Sequence, residues 1–219
     1  MKAVVFDMDG VLIDTHKCAY RLLADCAATH GVSLTADQIM RRGSMSSTQF
    51  WGKLKKDYNL GETVEQLIAS YDVEKEIAYY AQIGLMPGVT RVIAILRAAG
   101  IALGLATSAE KRRVDAVLSL ANLTQCFDSV VAAEDIRRFK PDPECYLTSC
   151  RRLACKPADT LVIEDSANGA NAAKAAGCRV AAFHGSLWEH NHFAADLQIS
   201  DFGEIKTVED LVFTAEPKC

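Results

Sequence analysis

The chain has 219 residues, half of them apolar, with a formal charge of −4 and a pI near 5.7. That length supports one sizeable domain or a domain with a modest insert, and the acidic balance argues against a general phosphate-backbone binder, whose affinity rests on Lys and Arg. No apolar stretch approaches the roughly 20 residues needed to span a bilayer, and the first residues run into a strand without a signal-peptide pattern. A soluble cytoplasmic protein is expected, with no nucleic acid and no membrane among its partners; the oligomeric state stays open, a monomer being compatible. Eight scattered cysteines read as reduced thiols. The closely spaced Cys150 and Cys155 lack the two-residue spacing of zinc knuckles.

In chain order, Ala3 to Phe6 reads as a short buried strand, and Asp7 and Asp9 stand where it stops. Asp14 reads as a turn or cap residue. From about Thr15 to Leu85 no strand pattern occurs. Three capping-box patterns fall there, Thr35 with Gln38, Ser46 with Gln49 and Thr63 with Gln66, and each can start a helix by satisfying orphan backbone N–H groups. Val64, Leu67, Ile68 and Tyr71 then follow at i, i+3, i+4 and i+7, one apolar face. Trp51 reads as a packing residue of this helical segment. Pro87-Gly88 marks the return, with Pro at the start of the next helix.

Ile101 to Ala106, Ser129 to Ala133, Leu161 to Ile163 and Arg179 to Phe183 are further short apolar runs, mostly separated by helical stretches. Two of those helices close on "RAAG" and "KAAG", a basic last turn followed by Gly, the usual helix stop. Strands alternating with helices imply a parallel sheet covered on both faces. The expected fold is therefore α/β, a doubly wound parallel sheet with an inserted all-α unit: residues 1–14 and 86–219 as the core, 15–85 as the insert. The loop His184 to Phe193 carries three histidines in no metal-binding framework and reads as surface.

In an open α/β sheet ligands bind beyond the carboxyl ends of the strands, and there the sequence keeps its unusual residues. Asp7 and Asp9 follow the first strand, Thr107-Ser108 the second, and Glu164-Asp165 follow "LVI". Four carboxylates gathered at one edge repel one another unless a cation neutralises them, and an all-oxygen set suits a hard ion such as Mg²⁺. Thr107-Ser108 precede a helix expected near Ala109, a hydroxyl and free N–H groups for an anion. Lys140, in "RRFKPDP", stands before a Pro-rich turn that can hold its ammonium at the sheet edge.

"DMDG" at Asp7 to Gly10, "TS" at Thr107-Ser108, "KPDP" at Lys140 to Pro143 and "EDSANGANAAKAAG" from Glu164 resemble, in order, the four motifs of the haloacid dehalogenase superfamily. The helical insert resembles the C1-type cap of its phosphatase and phosphoglucomutase branch. The resemblance implies a Rossmann-like core and phosphoryl transfer: Asp7 as nucleophile forming an aspartyl-phosphate, Asp9 as general acid and base, Thr107 and Ser108 binding phosphoryl oxygens, and Lys140 neutralising them. It implies Mg²⁺ held by Asp7, the Asp9 carbonyl and Asp165, with Glu164 in or next to the first shell. An acid at position 9 favours phosphate monoesters over halides. In the cap, "RRGSMSS" resembles the loop that selects substrate, which makes Arg42 and Ser44 candidate substrate contacts, with helix C-terminal charge as the plain alternative for Arg41 and Arg42.

The expected activity is a Mg²⁺-dependent phosphatase for a small phosphorylated metabolite, a sugar phosphate first among them. A β-phosphoglucomutase is the runner-up. Ala19 and Ser46 stand where those mutases carry His and Arg, groups tied to protecting the phospho-enzyme. A non-catalytic phospho-ligand binder is the alternative of another class, and it need not keep nucleophile, acid, cation and metal ligands together, as this chain does.

Overall fold

The computed structural model describes residues 1–40, 47–185 and 193–211. The chain divides into two compact units, Met1–Asp14 with Ile83–Cys219, and Thr15–Gln82.

The first unit is built on six parallel strands, β1 (Ala3–Phe6), β2 (Ala102–Ala106), β3 (Ser129–Val131), β4 (Thr160–Glu164), β5 (Arg179–Phe183) and β6 (Leu197–Ile199), in the order β3-β2-β1-β4-β5-β6. This is the doubly wound order, in which strands added on either side of β1 leave a crevice at their carboxyl ends. All four residues of β1 are fully buried, as expected for a central strand covered on both faces. Phe6 is in register with Leu105 on one side and Ile163 on the other. The residues that follow these three strands therefore leave the sheet at one level.

The observed strands differ from the expected ones at their ends and in number. Ala133 opens a single 3-10 turn after β3, since Ala133 N bonds Ala109 O instead of a strand. β6 was not expected: "LQI" is three residues long with only Ile199 buried, too short to show a period.

Helices α6 (Val89–Ala98), α7 (Lys111–Leu120), α8 (Glu144–Arg152) and α9 (Ala167–Ala175) connect the strands of this unit. α6 and α9 stop as their sequences indicate, because Gly100 and Gly177 take the left-handed conformation, with φ of 71° and 84°, that closes a helix. Pro87 lies one residue further out than expected, and Gly88, at φ 83°, is the N-cap of α6.

The second unit is all helical, with α1 (His16–Thr29), α2 (Ala36–Met40), α3 (Ser47–Tyr58), α4 (Val64–Ala69) and α5 (Val73–Ile83). Two capping boxes form reciprocally, Thr35 with Gln38 and Thr63 with Gln66; Ser46 of the third lies outside the described residues. Phe50, Trp51 and Leu54 of α3 meet Leu23 of α1 and Leu67 of α4 in this unit's own core, so Trp51 is a packing residue.

The seven described cysteines are free thiols. No described helix is long and apolar enough to cross a membrane.

Asp128 ties β2 to α6: it accepts from Leu103 N at 2.8 Å and from Arg97 at 2.7 and 2.8 Å, which together hold its carboxyl below the ordinary range. A group with a depressed folded pKa lends stability above its unfolded pKa and loses it as pH falls through the folded one. Asp128→Asn should lower the melting temperature near neutral pH by no more than a few degrees, the two side chains being 42 and 44% exposed and so screened. In melts repeated at decreasing pH, the difference from the unaltered chain should close in the acidic range.

Candidate active site

β1, β2 and β4 end side by side, and each delivers part of the site. Asp7 N continues the ladder to Ile163 O at 3.0 Å, and Thr107 N continues it to Val131 O at 3.0 Å. After Asp7 the chain turns back at once: Met8 O accepts from Leu12 N at 2.9 Å, Gly10 N donates to Ile13 O at 2.8 Å, and Gly10 takes φ 80°. Only glycine adopts that conformation readily, which accounts for the fourth residue of "DMDG". The turn leaves Asp7 buried and Asp9 half-buried at the strand end.

Lys140 is the hub. Its ammonium donates to Asp7 Oδ1 at 2.6 Å, Glu164 Oε1 at 2.8 Å and the carbonyl of Ala106, the last residue of β2, at 3.2 Å. An ammonium has three protons, and three acceptors converge on this one. Burial alone would lower the Lys140 pKa; Asp7 and Glu164 override it and hold the group well above the ordinary lysine value, so it stays charged. The side chains of Lys140, Asp7 and Glu164 are 8, 9 and 1% exposed, so solvent screens this ion pair little.

Glu164 is held on both oxygens. Oε2 accepts from Ser166 N at 2.8 Å and Ser166 Oγ at 2.9 Å, at the cap of α9, where the helix N-terminus favours negative charge. Oε1 accepts from Lys140 and from the Tyr146 hydroxyl at 3.0 Å. Burial, and next the negative charge of Glu164, push the Tyr146 phenol well above its ordinary value, so it remains a donor.

Sequence reasoning missed two participants here. Tyr146, fully buried on α8, looks in "ECYLTSC" like any core aromatic. Gly169, in the first turn of α9, leaves the space that Glu164 fills: a Cβ there would stand 1.5 Å from Glu164 Oε1.

The remaining site residues are placed as follows. Asp165 is half-buried, and one oxygen each of Asp7, Glu164 and Asp165 lie within 4.8 Å of one another, a group able to hold a metal ion. Thr107 is buried and its Oγ1 accepts from Ala109 N at 3.0 Å, whereas Ser108 is exposed. The helix after them starts later than expected, at Lys111, because Glu110 is the extended cap residue; Lys111 N is taken by Glu134. Arg113 on α7, hidden in the charge run "EKRRVD", brings Nη2 to 3.5 Å from Asp9 Oδ1. Arg42 and Ser44 lie outside the described residues, as do residues 186–192 of the histidine loop.

Among the described residues, Lys140 and the more distant Arg113 face four carboxyl groups. Burial raises the Asp7 carboxyl well above its ordinary range; Lys140 opposes this, and Glu164, Asp165 and Asp9 add to the rise. A divalent ion held there would correct the deficit, and the hard oxygen donors fit one.

A family model described as haloacid dehalogenase-like hydrolase matches residues 1–177. The chain belongs to this family. Among its relatives is a phosphorylated carbohydrates phosphatase of Thermotoga maritima, 32% identical over 177 residues, covering 81% of this chain and 82% of that one. Hexitol phosphatase B of Escherichia coli is 29% identical, covering 96% of each chain. The β-phosphoglucomutase of Bacillus subtilis is 31% identical, covering 81% of this chain and 80% of the other. In fold, the chain matches the crystal structure of CbbY from Rhodobacter sphaeroides in complex with phosphate, with a TM-score of 0.81 at 24% identity, over 96% of this chain and 99% of that one.

Gly169→Ala should cost about 1–3 kcal/mol of stability, the usual penalty for overpacking, because the added methyl displaces Glu164 from the cap of α9. Thermal melts with turnover assays should show the activity loss exceeding what the melting shift explains, since Lys140 loses one of its two carboxylates.

Proposed function

We propose that the protein is a Mg²⁺-dependent phosphatase that hydrolyses a small sugar phosphate through an aspartyl-phosphate on Asp7. The observation that carries this reading is the buried Lys140 ammonium held 2.6 Å from Asp7 and 2.8 Å from Glu164 at the ends of adjoining strands. Phosphatase-named relatives that include a carbohydrate-phosphate and a hexitol phosphatase support the substrate class.

In this reading an Asp7 oxygen attacks phosphorus, the bond from phosphorus to the sugar oxygen breaks, and Asp9 gives its proton to the departing alkoxide. Water then attacks the same phosphorus, Asp9 takes back a proton, and Asp7 leaves as a carboxylate with inorganic phosphate as product. Lys140 keeps positive charge beside the nucleophile throughout, and the Thr107 hydroxyl with nearby backbone N–H groups and Ser108 binds phosphoryl oxygens. Asp7 and Asp165, with the Asp9 carbonyl, would hold Mg²⁺, and Glu164, whose oxygens already accept four hydrogen bonds, would stand behind them. When bound, the ion supplies charge neutralisation for the transferring group. On sequence grounds, Arg42 and Ser44 are the residues assigned to choosing the sugar, and the cytoplasm is the compartment.

The 31% identity to a β-phosphoglucomutase favours a second reading, a mutase. Ala19, where such mutases carry a His, argues against it.

A panel of sugar phosphates should yield phosphate from at least one member, EDTA should abolish the release and added Mg²⁺ restore it. Asp7→Asn should lower turnover by at least about 10³-fold, as removing a covalent nucleophile does. Turnover that survives both treatments would falsify the proposal. Offered β-glucose 1-phosphate with a trace of the 1,6-bisphosphate, the protein should release free phosphate faster than it forms glucose 6-phosphate; the reverse order identifies the mutase.

A further inference from the structure

We propose that the Tyr146 hydroxyl is a positioning group for Lys140, acting through Glu164 to keep the ammonium shared with Asp7. The inference rests on the reading of Asp7 as nucleophile and adds Tyr146 to the residues that serve it.

Two carboxylates compete for one ammonium, at 2.6 Å on the Asp7 side and 2.8 Å on the Glu164 side. In a buried site an acceptor whose charge is poorly met by other donors pulls hardest. Glu164 Oε2 is met by the two donors of Ser166, and Oε1 is met by Tyr146 as well as by Lys140. The hydroxyl thus takes up part of the demand on Oε1, which leaves the ammonium free to lean towards Asp7. The same side chain acts a second time, because Lys140 Nζ lies 4.9 Å from the Tyr146 ring centroid, within cation–π range. The ring thus lies against the cation, while the hydroxyl reaches it only through Glu164.

A tyrosine that only filled the core would also need some partner for its buried hydroxyl. The two roles part at one substitution. Tyr146→Phe keeps the ring and its packing and removes the bond to Oε1. If the hydroxyl positions Lys140, kcat for the best sugar phosphate should fall about tenfold, the worth of one hydrogen bond to a charged group, with KM within about twofold. The melting temperature should stay within a few degrees, Glu164 keeping three donors.

Two further measurements make the assignment specific. In a Glu164→Gln background, Tyr146→Phe should have little further effect on kcat, because the neutral amide no longer competes with Asp7 for the ammonium. In metal-free protein, the side-chain ammonium resonance of Lys140, assigned with Lys140→Arg, should move or exchange faster in Tyr146→Phe. A kcat within about twofold of the unaltered enzyme overturns the proposal, as does an undiminished effect in the Glu164→Gln background. If no phosphate ester is turned over, the phosphatase reading fails separately, and the resonance alone decides: shifted, it supports the positioning role, and unmoved, it overturns it.

Discussion

The buried ammonium of Lys140 is the constraint around which the core unit is arranged. A lone charge out of water would lose its proton or unfold the site, so the chain must bring acceptors to it from three strands. It does so with Asp7 after β1, Ala106 O at the end of β2 and Glu164 at the end of β4. The alignment of Phe6 with Leu105 and Ile163 is what makes this possible, since a slip of one residue in β1 would send Asp7 to the opposite face.

That arrangement leaves the site short of positive charge. Four carboxyl groups stand against Lys140 and the more distant Arg113, a set that could hold a hard cation. Family membership and the geometry of these residues point the same way, although one concerns ancestry and the other only distances and burial.

Much of this was legible in the chain because it is written in local chemistry. Alternating apolar runs and glycine helix stops announce a doubly wound sheet, and acids and a lysine near strand ends announce which side chains that edge brings together. What was not legible depends on three-dimensional proximity. Tyr146 becomes more than a core aromatic only when α8 is packed so that its hydroxyl meets Glu164. Gly169 becomes necessary only when the Glu164 carboxylate occupies the space its side chain would need. Arg113 is one charge among several until Asp9 is seen beside it. β6 escaped for a different reason: three residues at a sheet edge carry too little pattern to stand out from a loop.

The central place of β1 also bears on how the protein comes into being. Its four residues are fully buried, yet its two strand partners begin only at Ala102 and Thr160. During synthesis, at about 5–20 residues per second, this apolar strand waits several seconds for its first neighbour and longer for its second. Pairings so distant in sequence are slow to form and leave sticky edges open meanwhile. The helical unit, made in that interval with a core of its own, can fold before the sheet closes. Asp7 is thus made well before the groups it meets, Lys140 following 133 residues later and Glu164 later still.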